Sequence, residues 1–237
     1  MTIPTRDKPA KPLGRKAYGS IPHLPGSRMG PADHHCHEGQ ALICTESLRD
    51  RHDAVFVEEK LDGSCVAVAC IHGEVIALGR AGYPATTSPF EQHHLFAEWV
   101  SANIWLFAGL ADGEWIVGEW LAQAHGTRYD LPHDPFVAFD IFRGGKRISR
   151  AEFIDRVDVA GFVRPWVIGV GPLPISDAMG LVQPSHHGAV DPVEGVVWRV
   201  ERRGEFDFLA KYVRPEKVDG AFLPEVSGRE AVWNWRP

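Results

Sequence analysis

This sequence has few cysteines, no long apolar run and no excess of positive charge. Its four cysteines, at positions 36, 44, 65 and 70, form no CxxC pair and no spacing typical of a disulfide-stapled secreted module, so they are expected to be reduced thiols. No stretch approaches the roughly 18 to 20 uninterrupted apolar residues that a membrane helix needs. The polar, Pro-rich N-terminus also lacks the apolar core of a signal peptide. These absences predict a cytoplasmic protein with no membrane partner.

The charge balance argues against a broad nucleic-acid clamp. With 31 acidic against 25 basic residues, the formal net charge is -6, so long-range attraction to a phosphate backbone is not a property of the whole molecule. A local strip of Lys and Arg on one face remains compatible with contacts to a few phosphates.

The 237 residues, 44% of them hydrophobic, are enough to bury one substantial core. Residues 1–33 are dense in Pro, Gly and basic residues and show no period of 2 or 3.6. They predict an arm draped over a domain formed by residues 34–237, although a disordered tail is the alternative for the first dozen residues.

Short β-branched or alternating runs separated by Gly turns predict strands at 54–59, 65–71, 74–78, 115–120, 136–142, 196–201 and 206–213. Apolar residues at helical spacing predict a helix over 90–107, and Ser149 with Glu152 has the spacing of a capping box that opens a helix to about 159. Since helices and strands do not alternate as regular βαβ units, the predicted class is α+β with largely antiparallel sheets.

Residues 58–63 (EEKLDG) contain the candidate nucleophile, Lys60. A lysine between a strand and a tight Gly turn is fixed by the sheet while its amine projects outward, as a covalent nucleophile requires. Free lysine is protonated at neutral pH, so its surroundings must favour the neutral amine. Alone, however, a KxDG match is also what an ordinary strand-end lysine before a turn would give.

An ordered set of motifs distinguishes these possibilities. The chain resembles the covalent nucleotidyltransferases, the superfamily of polynucleotide ligases and mRNA capping enzymes, from about residue 58 to 213. The resemblance is carried by KLDG at 60–63, LGR at 78–80, VGEW at 117–120, FVAFDIF at 136–142, EGVV at 194–197 and FLAKY at 208–212. It implies the adenylation-domain fold of these enzymes.

The FDI and GEW forms of two motifs look more like those of ATP-dependent RNA ligases, particularly the phage-type nick- and break-sealing group. That resemblance implies ATP and Mg²⁺ (or Mn²⁺) as cofactors, an AMP carried on Lys60, and joining of a 5′-phosphate RNA end to a 3′-hydroxyl. A DNA ligase, a GTP-using capping enzyme and a catalytically silent binder of nucleotides or RNA ends are the alternatives.

The resemblance also implies roles for the catalytic groups. Lys211 suits the α-phosphate as a compact cation. Glu194 suits a metal ion or the orientation of Lys60, and Gly195 would permit close approach to the nucleotide. A solvated surface lysine is the alternative for Lys211.

Three further residues are expected to bind the nucleotide. Arg80 offers a planar fork to ribose or phosphate, with an ordinary salt bridge as the alternative. Glu119 lies in an otherwise apolar strand, where a buried unpaired carboxylate is costly and therefore favours a polar ligand. Phe139 resembles the aromatic residue that stacks on the purine. Ordinary core packing is the alternative for this residue.

Two departures from the family pattern stand out. Leu209 occupies a position where the final motif commonly has a first lysine, and Arg199 on the preceding strand is a conceivable substitute. Only 24 residues follow Val213, so no separate C-terminal OB domain is expected. Binding of the nucleic-acid strand would then depend on the catalytic domain, the arm or an accessory protein. The cluster His34–His37 lacks a zinc-finger partner pair and is expected to be a loop near the nucleotide or RNA end.

Overall fold

Two antiparallel β-sheets form the centre of the molecule, with helices on their outer faces. The computed structural model describes residues 9–237, so Arg6 and Lys8 of the predicted arm lie outside the described residues. The strands are β1 (Asp53–Lys60), β2 (Ser64–Ile71), β3 (Glu74–Gly79), β4 (Trp115–Trp120), β5 (Phe136–Arg143), β6 (Lys146–Arg147), β7 (Val167–Val170), β8 (Gly195–Arg202) and β9 (Glu205–Val213). The helices are α1 (Glu38–Thr45), α2 (Glu91–Ala102), α3 (Arg150–Ala160), α4 (Ile175–Leu181) and α5 (Pro224–Ser227). The predicted α+β class with antiparallel sheets is confirmed.

The first sheet has the strand order β7-β1-β8-β9, and the second has the order β3-β2-β4-β5-β6. Every strand pair is antiparallel. Strand β2 is apolar on both faces: Val66 and Val68 pack towards α2, whereas Ala67 and Ala69 pack in a cluster that includes residues of both sheets. A strand buried on both faces reads as a continuous apolar run, which is the pattern of this segment. The two sheets therefore face each other across a shared interior.

The predicted helices form, with shifted ends. Helix α2 ends at Ala102, and a separate 3₁₀ turn at Ile104–Phe107 follows Asn103, whose side chain donates to the Trp99 carbonyl. Ser149 caps α3 by accepting from the Glu152 amide at 3.3 Å. The Glu152 carboxylate does not complete the capping box and binds Arg143 instead.

Part of the N-terminal segment covers the open edge of the first sheet. The Lys211 amide donates to the Pro22 carbonyl at 2.9 Å, and the Leu24 amide donates to the Lys211 carbonyl at 2.8 Å. An unpaired strand edge invites intermolecular pairing, and these hydrogen bonds cover part of it. In the described part of the chain, no helix is long and apolar enough to cross a membrane.

Candidate active site

A cavity of about 770 Å³ lies between the two sheets and is lined by residues of both. All the residues predicted to bind nucleotide or to act in catalysis line it: Lys60, Arg80, Glu119, Phe139, Glu194 and Lys211. Four of these residues lie in strands β1, β4, β5 and β9, whereas Arg80 directly follows β3 and Glu194 directly precedes β8. The fold therefore brings together motifs that are far apart in the sequence. The volume falls in the range of small-molecule sites.

Lys60 is the last residue of β1, and its amine points into the cavity. Alternation along β1 places it on the same face as Glu58, which also lines the cavity. Its Nζ lies 2.6 Å from Oε2 of Glu194, which directly precedes β8, the strand that pairs with β1. Burial lowers the pKa of Lys60, but the negative charges of Glu194, Glu119 and Asp62 outweigh burial, and the pKa is raised above its ordinary value. Before a nucleotide binds, the amine is therefore protonated and held by a carboxylate.

The turn after Lys60 is fixed by hydrogen bonds to neighbouring loops and strands. The Gly63 amide donates to Oε1 of Glu119 at 3.0 Å, and the Asp62 amide donates to the Tyr129 hydroxyl at 3.0 Å. A Cβ at Gly63 would collide with the carbonyl oxygen of Trp120, so only glycine lets the turn approach β4 so closely. The KxDG glycine is thus required by packing, as well as by the turn.

Gly195 is constrained by the packing of two strands. A Cβ there would collide with the Tyr212 carbonyl oxygen on β9, so close packing of β8 against β9 already requires glycine at this position. These contacts place the constraint between β8 and β9, and the close approach of a nucleotide to Gly195 stays a prediction.

Glu119 is a half-buried carboxylate whose ionisation is disfavoured. Burial raises its pKa, the charge of Lys60 lowers it, and the charges of Glu194 and Asp62 raise it again, with a net value of about 7. At neutral pH a substantial fraction of Glu119 is therefore protonated and able to donate a hydrogen bond, which suits a ligand oxygen or nitrogen.

The Glu119→Gln variant is expected to be more stable than the wild type above neutral pH. A pKa raised from 4.5 to about 7 means that the folded state holds a proton that the unfolded state releases, so this stabilisation is lost as the pH rises through 7. Glutamine keeps the acceptor for Gly63 and carries no charge. Its free energy of unfolding in urea should exceed that of the wild type by about 1–3 kcal/mol at pH 8 and by much less at pH 5. A difference that is constant with pH would refute the assigned protonation.

Lys211 lies on β9 with its side chain in the cavity and near residues of the N-terminal segment. Its Nζ is 4.0 Å from Oδ1 of Asp33, whose other oxygen lies 3.1 Å from Nε2 of the buried His23. Burial and the charge of Lys60 lower the pKa of Lys211, while Asp33 and Glu194 raise it, with a net lowering. Lys211 and Lys60 thus line the same cavity, where two neighbouring ammonium groups suit an anionic ligand.

Phe139 reaches the cavity because β5 is irregular at this point. Val117 pairs with Asp140 but Gly118 pairs with Ala138, so Phe139 is the extra residue of a β-bulge. Bulges re-aim side chains and recur near active sites. Phe136 and Phe142 are buried, whereas Phe139 is only partly buried and meets the Tyr18 ring edge-on at 5.1 Å. Its ring therefore lines the cavity and also packs against the core cluster that contains Tyr18 and Phe142.

Arg199 also lines the cavity, but its hydrogen-bonding groups are already used. Its guanidinium donates to Asp140 at 2.7 Å, to Glu201 at 3.0 Å and to the Ile148 carbonyl at 2.8 Å. A guanidinium satisfied by two carboxylates is poorly placed to replace a phosphate-binding lysine. The suggestion that Arg199 substitutes for the lysine missing at position 209 therefore gains no support from these contacts.

Arg80 lies at the exposed rim of the cavity. Its guanidinium donates to the Gly19 carbonyl at 3.0 Å, and its own carbonyl accepts from the amides of Ala17 and Tyr18. This side chain has no carboxylate partner among the residues described, so the simple salt-bridge alternative is not observed. Much of its donor capacity is available to a ligand.

Sequence motifs missed several groups of the site. Tyr18 donates to Asp140 at 2.8 Å below the Phe139 ring. His93 lines the cavity between Ser64 and Ser88, at 2.8 and 2.6 Å. Neither was assigned a role in the site, because each reaches the cavity only through tertiary packing. Tyr18 lies before the first motif and His93 on a helix between motifs.

Lys217, also outside the motifs, is 2% exposed and forms ion pairs with Asp62 and Glu194. A second ammonium thus lies behind the cavity wall, on the far side of Glu194 from Lys60.

The histidine cluster and the cysteines form no metal site. His37 precedes α1 as its N-cap, and His34 and His35 are exposed. Across residues 9–237, no group of three or more His, Cys, Asp or Glu side chains is arranged to hold a metal ion. The four cysteines are free thiols.

Comparison with known proteins identifies relatives by family and by fold. The family model described as RNA ligase matches residues 53–213, which is more than half of the chain. A search of curated proteins gives no match.

Solved structures of RNA ligases share the fold at low identity. The structure titled as a Naegleria gruberi RNA ligase with PPi is 17% identical, with a TM-score of 0.51 over 75% of this chain and 53% of that one. The structure of a mutant of that enzyme with ATP and Mn is 15% identical, with a TM-score of 0.52, and the match covers 75% of this chain and 53% of that one. An archaeal ATP-dependent RNA ligase is 23% identical over 68% of this chain and 43% of its own, with a TM-score of 0.44. The chain spans about half the length of the solved ligases it matches.

Proposed function

The chain belongs to the RNA ligase family, and on this premise we propose that it is an ATP-dependent RNA ligase that carries AMP covalently on Lys60. The observation that carries the proposal is the position of Lys60: its amine enters the shared cavity beside Glu194 at 2.6 Å, in a turn locked to Glu119. A lysine held in this way is an oriented nucleophile, as covalent catalysis requires.

The proposed reaction has three in-line displacements at phosphorus. The neutral Lys60 amine attacks the α-phosphorus of ATP, a P–N bond forms, and the bond to the β-phosphate breaks to release pyrophosphate. An oxygen of the 5′-phosphate RNA end then attacks the AMP phosphorus and breaks the P–N bond. Finally, the 3′-hydroxyl attacks the activated 5′-phosphate and AMP leaves. Catalysis of such steps is mainly positioning and neutralisation of developing charge.

Glu194 acts on the nucleophile in this scheme. Its Oε2 is within hydrogen-bond distance of the Lys60 ammonium, so it holds the nucleophile in position and is the nearest acceptor for its proton. Lys211 faces the same space from β9 and supplies the positive charge that stabilises the α-phosphate as it is attacked. Arg80, open at the rim, is assigned to ribose or phosphate oxygens.

The nucleoside is assigned to the apolar part of the cavity. Phe139 offers its ring to the purine, and base–aromatic stacking contributes about 1–3 kcal/mol. The carboxyl group of Glu119 is assigned to the ribose hydroxyls, for which its mixed protonation provides both donor and acceptor. The Naegleria structure with ATP and Mn agrees with ATP as the nucleotide.

The donor set fits a divalent cation held largely by the substrate. Mg²⁺ keeps several waters and is usually bound by one or two carboxylates together with substrate phosphates, so the lack of a three-ligand protein cage among the described residues is the expected arrangement. Glu194 would hold Mg²⁺ or Mn²⁺ together with the phosphates. The cation would neutralise charge on the phosphates.

A test of nucleotide and strand choice separates the proposed function from its alternatives. With labelled nucleotide, ATP and not GTP is expected to label the protein, and the label should move to 5′-phosphate RNA and be released as AMP on joining to a 3′-hydroxyl RNA. Labelling by GTP would favour a capping-type enzyme. Transfer of the label to DNA but not to RNA would favour a DNA ligase. Binding of ATP without any labelling would refute the proposal in favour of a silent binding module.

A further inference from the structure

Trp166 and His186 form an exposed aromatic stack that no motif and no step of the proposed reaction uses. Their ring centroids lie 3.7 Å apart, and the ring planes differ by only 10°. Trp166, which directly precedes β7, is 45% exposed, and His186 in the loop before β8 is exposed as well. Single apolar residues at a surface need no explanation, but two rings fixed face to face present a flat aromatic surface to a partner.

The stack is anchored to Glu59, the residue that precedes the proposed nucleophile. The Glu59 amide donates to the Trp166 carbonyl at 2.9 Å. Its carboxylate accepts from the His186 amide at 3.2 Å and from the Ser185 hydroxyl. Glu59 is buried, where a carboxylate is costly unless it is hydrogen-bonded. One buried residue of β1 therefore holds both segments that carry the rings.

A histidine pair fixes the other side of the Trp166 backbone. The Trp166 amide donates to Nε2 of His187 at 3.2 Å, and burial lowers the pKa of this imidazole to about 4, so it is neutral at pH 7. Its proton therefore lies on Nδ1, which is 2.8 Å from Nε2 of His133. Nδ1 of His133 in turn lies 2.7 Å from the Asp134 carbonyl. The backbone amide and carbonyl of Trp166 are both bonded, so the stack is preorganised.

The stack lies next to the wall of the cavity. Pro165 and Glu59 both line the cavity, and Trp166 follows the first in sequence and is hydrogen-bonded to the second. Lys60, the next residue of β1, sends its amine into the same cavity. Paired strands are about 5 Å apart, so a nucleotide next to an RNA end held at Lys60 is within reach of the stack.

The charges around the stack favour a base over a phosphate as its ligand. The chain as a whole carries a formal net charge of -6. Arg164, close to the stack in sequence, already donates to Asp158 at 3.1 Å. Stacking needs no basic surface, and every nucleic-acid base offers a π face to an aromatic side chain. An unpaired base of an RNA strand therefore fits this surface.

We propose that Trp166 and His186 form a stacking site for a base of the RNA strand, close to the end that receives AMP or is joined. The inference rests on the proposed function and deepens it, because it assigns part of the surface that binds the strand. Since aromatic stacking is tolerant of sequence, the site is expected to accept all four bases.

A thermodynamic cycle between protein and RNA tests the site. A fluorescein-labelled single-stranded RNA with a 5′-phosphate is titrated with the wild type and with Trp166→Ala, and affinity is measured by fluorescence anisotropy. The variant is expected to bind about 10- to 100-fold more weakly. The titrations are repeated with RNAs that carry one abasic nucleotide at successive positions. At one position the abasic RNA should bind the wild type weakly and lose no further affinity in the variant.

Two variants and one activity control for a loss of structure. Trp166→Phe retains an aromatic ring and should keep most of the affinity for RNA. Trp105→Ala removes a tryptophan that is 67% exposed in the 3₁₀ turn after α2, and it should bind RNA like the wild type. Adenylation of Trp166→Ala by ATP, followed by intact mass, should match that of the wild type because Trp166 does not line the cavity.

The outcomes separate this inference from the proposed function. A wild type that forms no AMP adduct overturns the proposed function and the inference with it. A wild type that is adenylated but binds RNA no more tightly than Trp166→Ala overturns the stacking site alone. So does an abasic nucleotide that weakens both proteins equally at every position, since no base would then lie on Trp166. A changed oligomeric mass of Trp166→Ala with unchanged RNA affinity would assign the surface to a protein contact.

Discussion

Incubation with ATP and Mg²⁺ is expected to add one AMP to Lys60 of the wild-type protein, and the Lys60→Arg variant is expected to gain none. Arginine can keep the ion pair with Glu194, but its guanidinium stays protonated at any accessible pH and cannot attack phosphorus. The substitution therefore separates nucleophilicity from charge. Intact-mass measurement followed by peptide mapping gives the answer.

Lys60→Arg is a sharper test than removal of the side chain. A methionine at this position would leave Glu194, which is 7% exposed, without its cavity partner, and the resulting loss of stability could itself abolish activity. Thermal unfolding of the arginine variant should stay close to that of the wild type. An AMP adduct in Lys60→Arg, or one that maps to Lys211 in the wild type, would exclude Lys60 as the nucleophile.

The strands that carry the motifs could be predicted from the sequence because the apolar pattern and the turn residues of each segment indicate the same structure. Segment 65–71 is continuously apolar, and the structure buries β2 on both faces. The same applies to the last hairpin, where the Arg203-Gly204 turn joins β8 and β9 as predicted. In such segments turn chemistry and apolar pattern favour the same structure.

Elements without such agreement were missed. Strand β7 has only four residues and exists because it pairs with β1, and α4 has seven residues that pack on β7 and β8. Their stability comes from tertiary contacts that no short window of sequence contains. The predicted single helix over 90–107 was too long, because the periodic apolar positions continue through the 3₁₀ turn that follows α2.

Site residues that belong to a motif were predicted from the sequence, whereas those that reach the site through tertiary packing were missed. Lys60, Glu194 and Lys211 all line the cavity. Lys217 carries no local signal, since a lysine after a strand usually lies in water, and only the approach of the loop around Gly126 encloses it. The position of Phe139 depended on a bulge that the alternation of FVAFDIF does not reveal.

The Lys211→Ala variant is expected to slow adenylation by about a hundredfold or more. Lys211 is the lysine of the final motif that lines the cavity, and Arg199 is already bound by Asp140 and Glu201. Loss of one charge-assisted contact to the developing charge costs roughly 3 kcal/mol in the transition state. Lys211→Arg should recover little, because a planar fork does not replace a compact cation held at one distance. Single-turnover rates at saturating ATP measure both effects.

A lysine placed at position 209 tests whether the location of this charge matters. Leu209 points to the same face of β9 as Lys211 but pairs with Arg199, whereas Lys211 pairs with Val197, two residues closer to the end of β8 that faces Lys60. At about 3.4 Å per residue, the two positions differ by about 7 Å along the strand. Leu209→Lys should therefore leave the wild-type rate unchanged and fail to rescue Lys211→Ala. Rescue would show that position 209 reaches the phosphate, and a near-normal rate for Lys211→Ala alone would mean that the phosphate-binding cation lies on another strand.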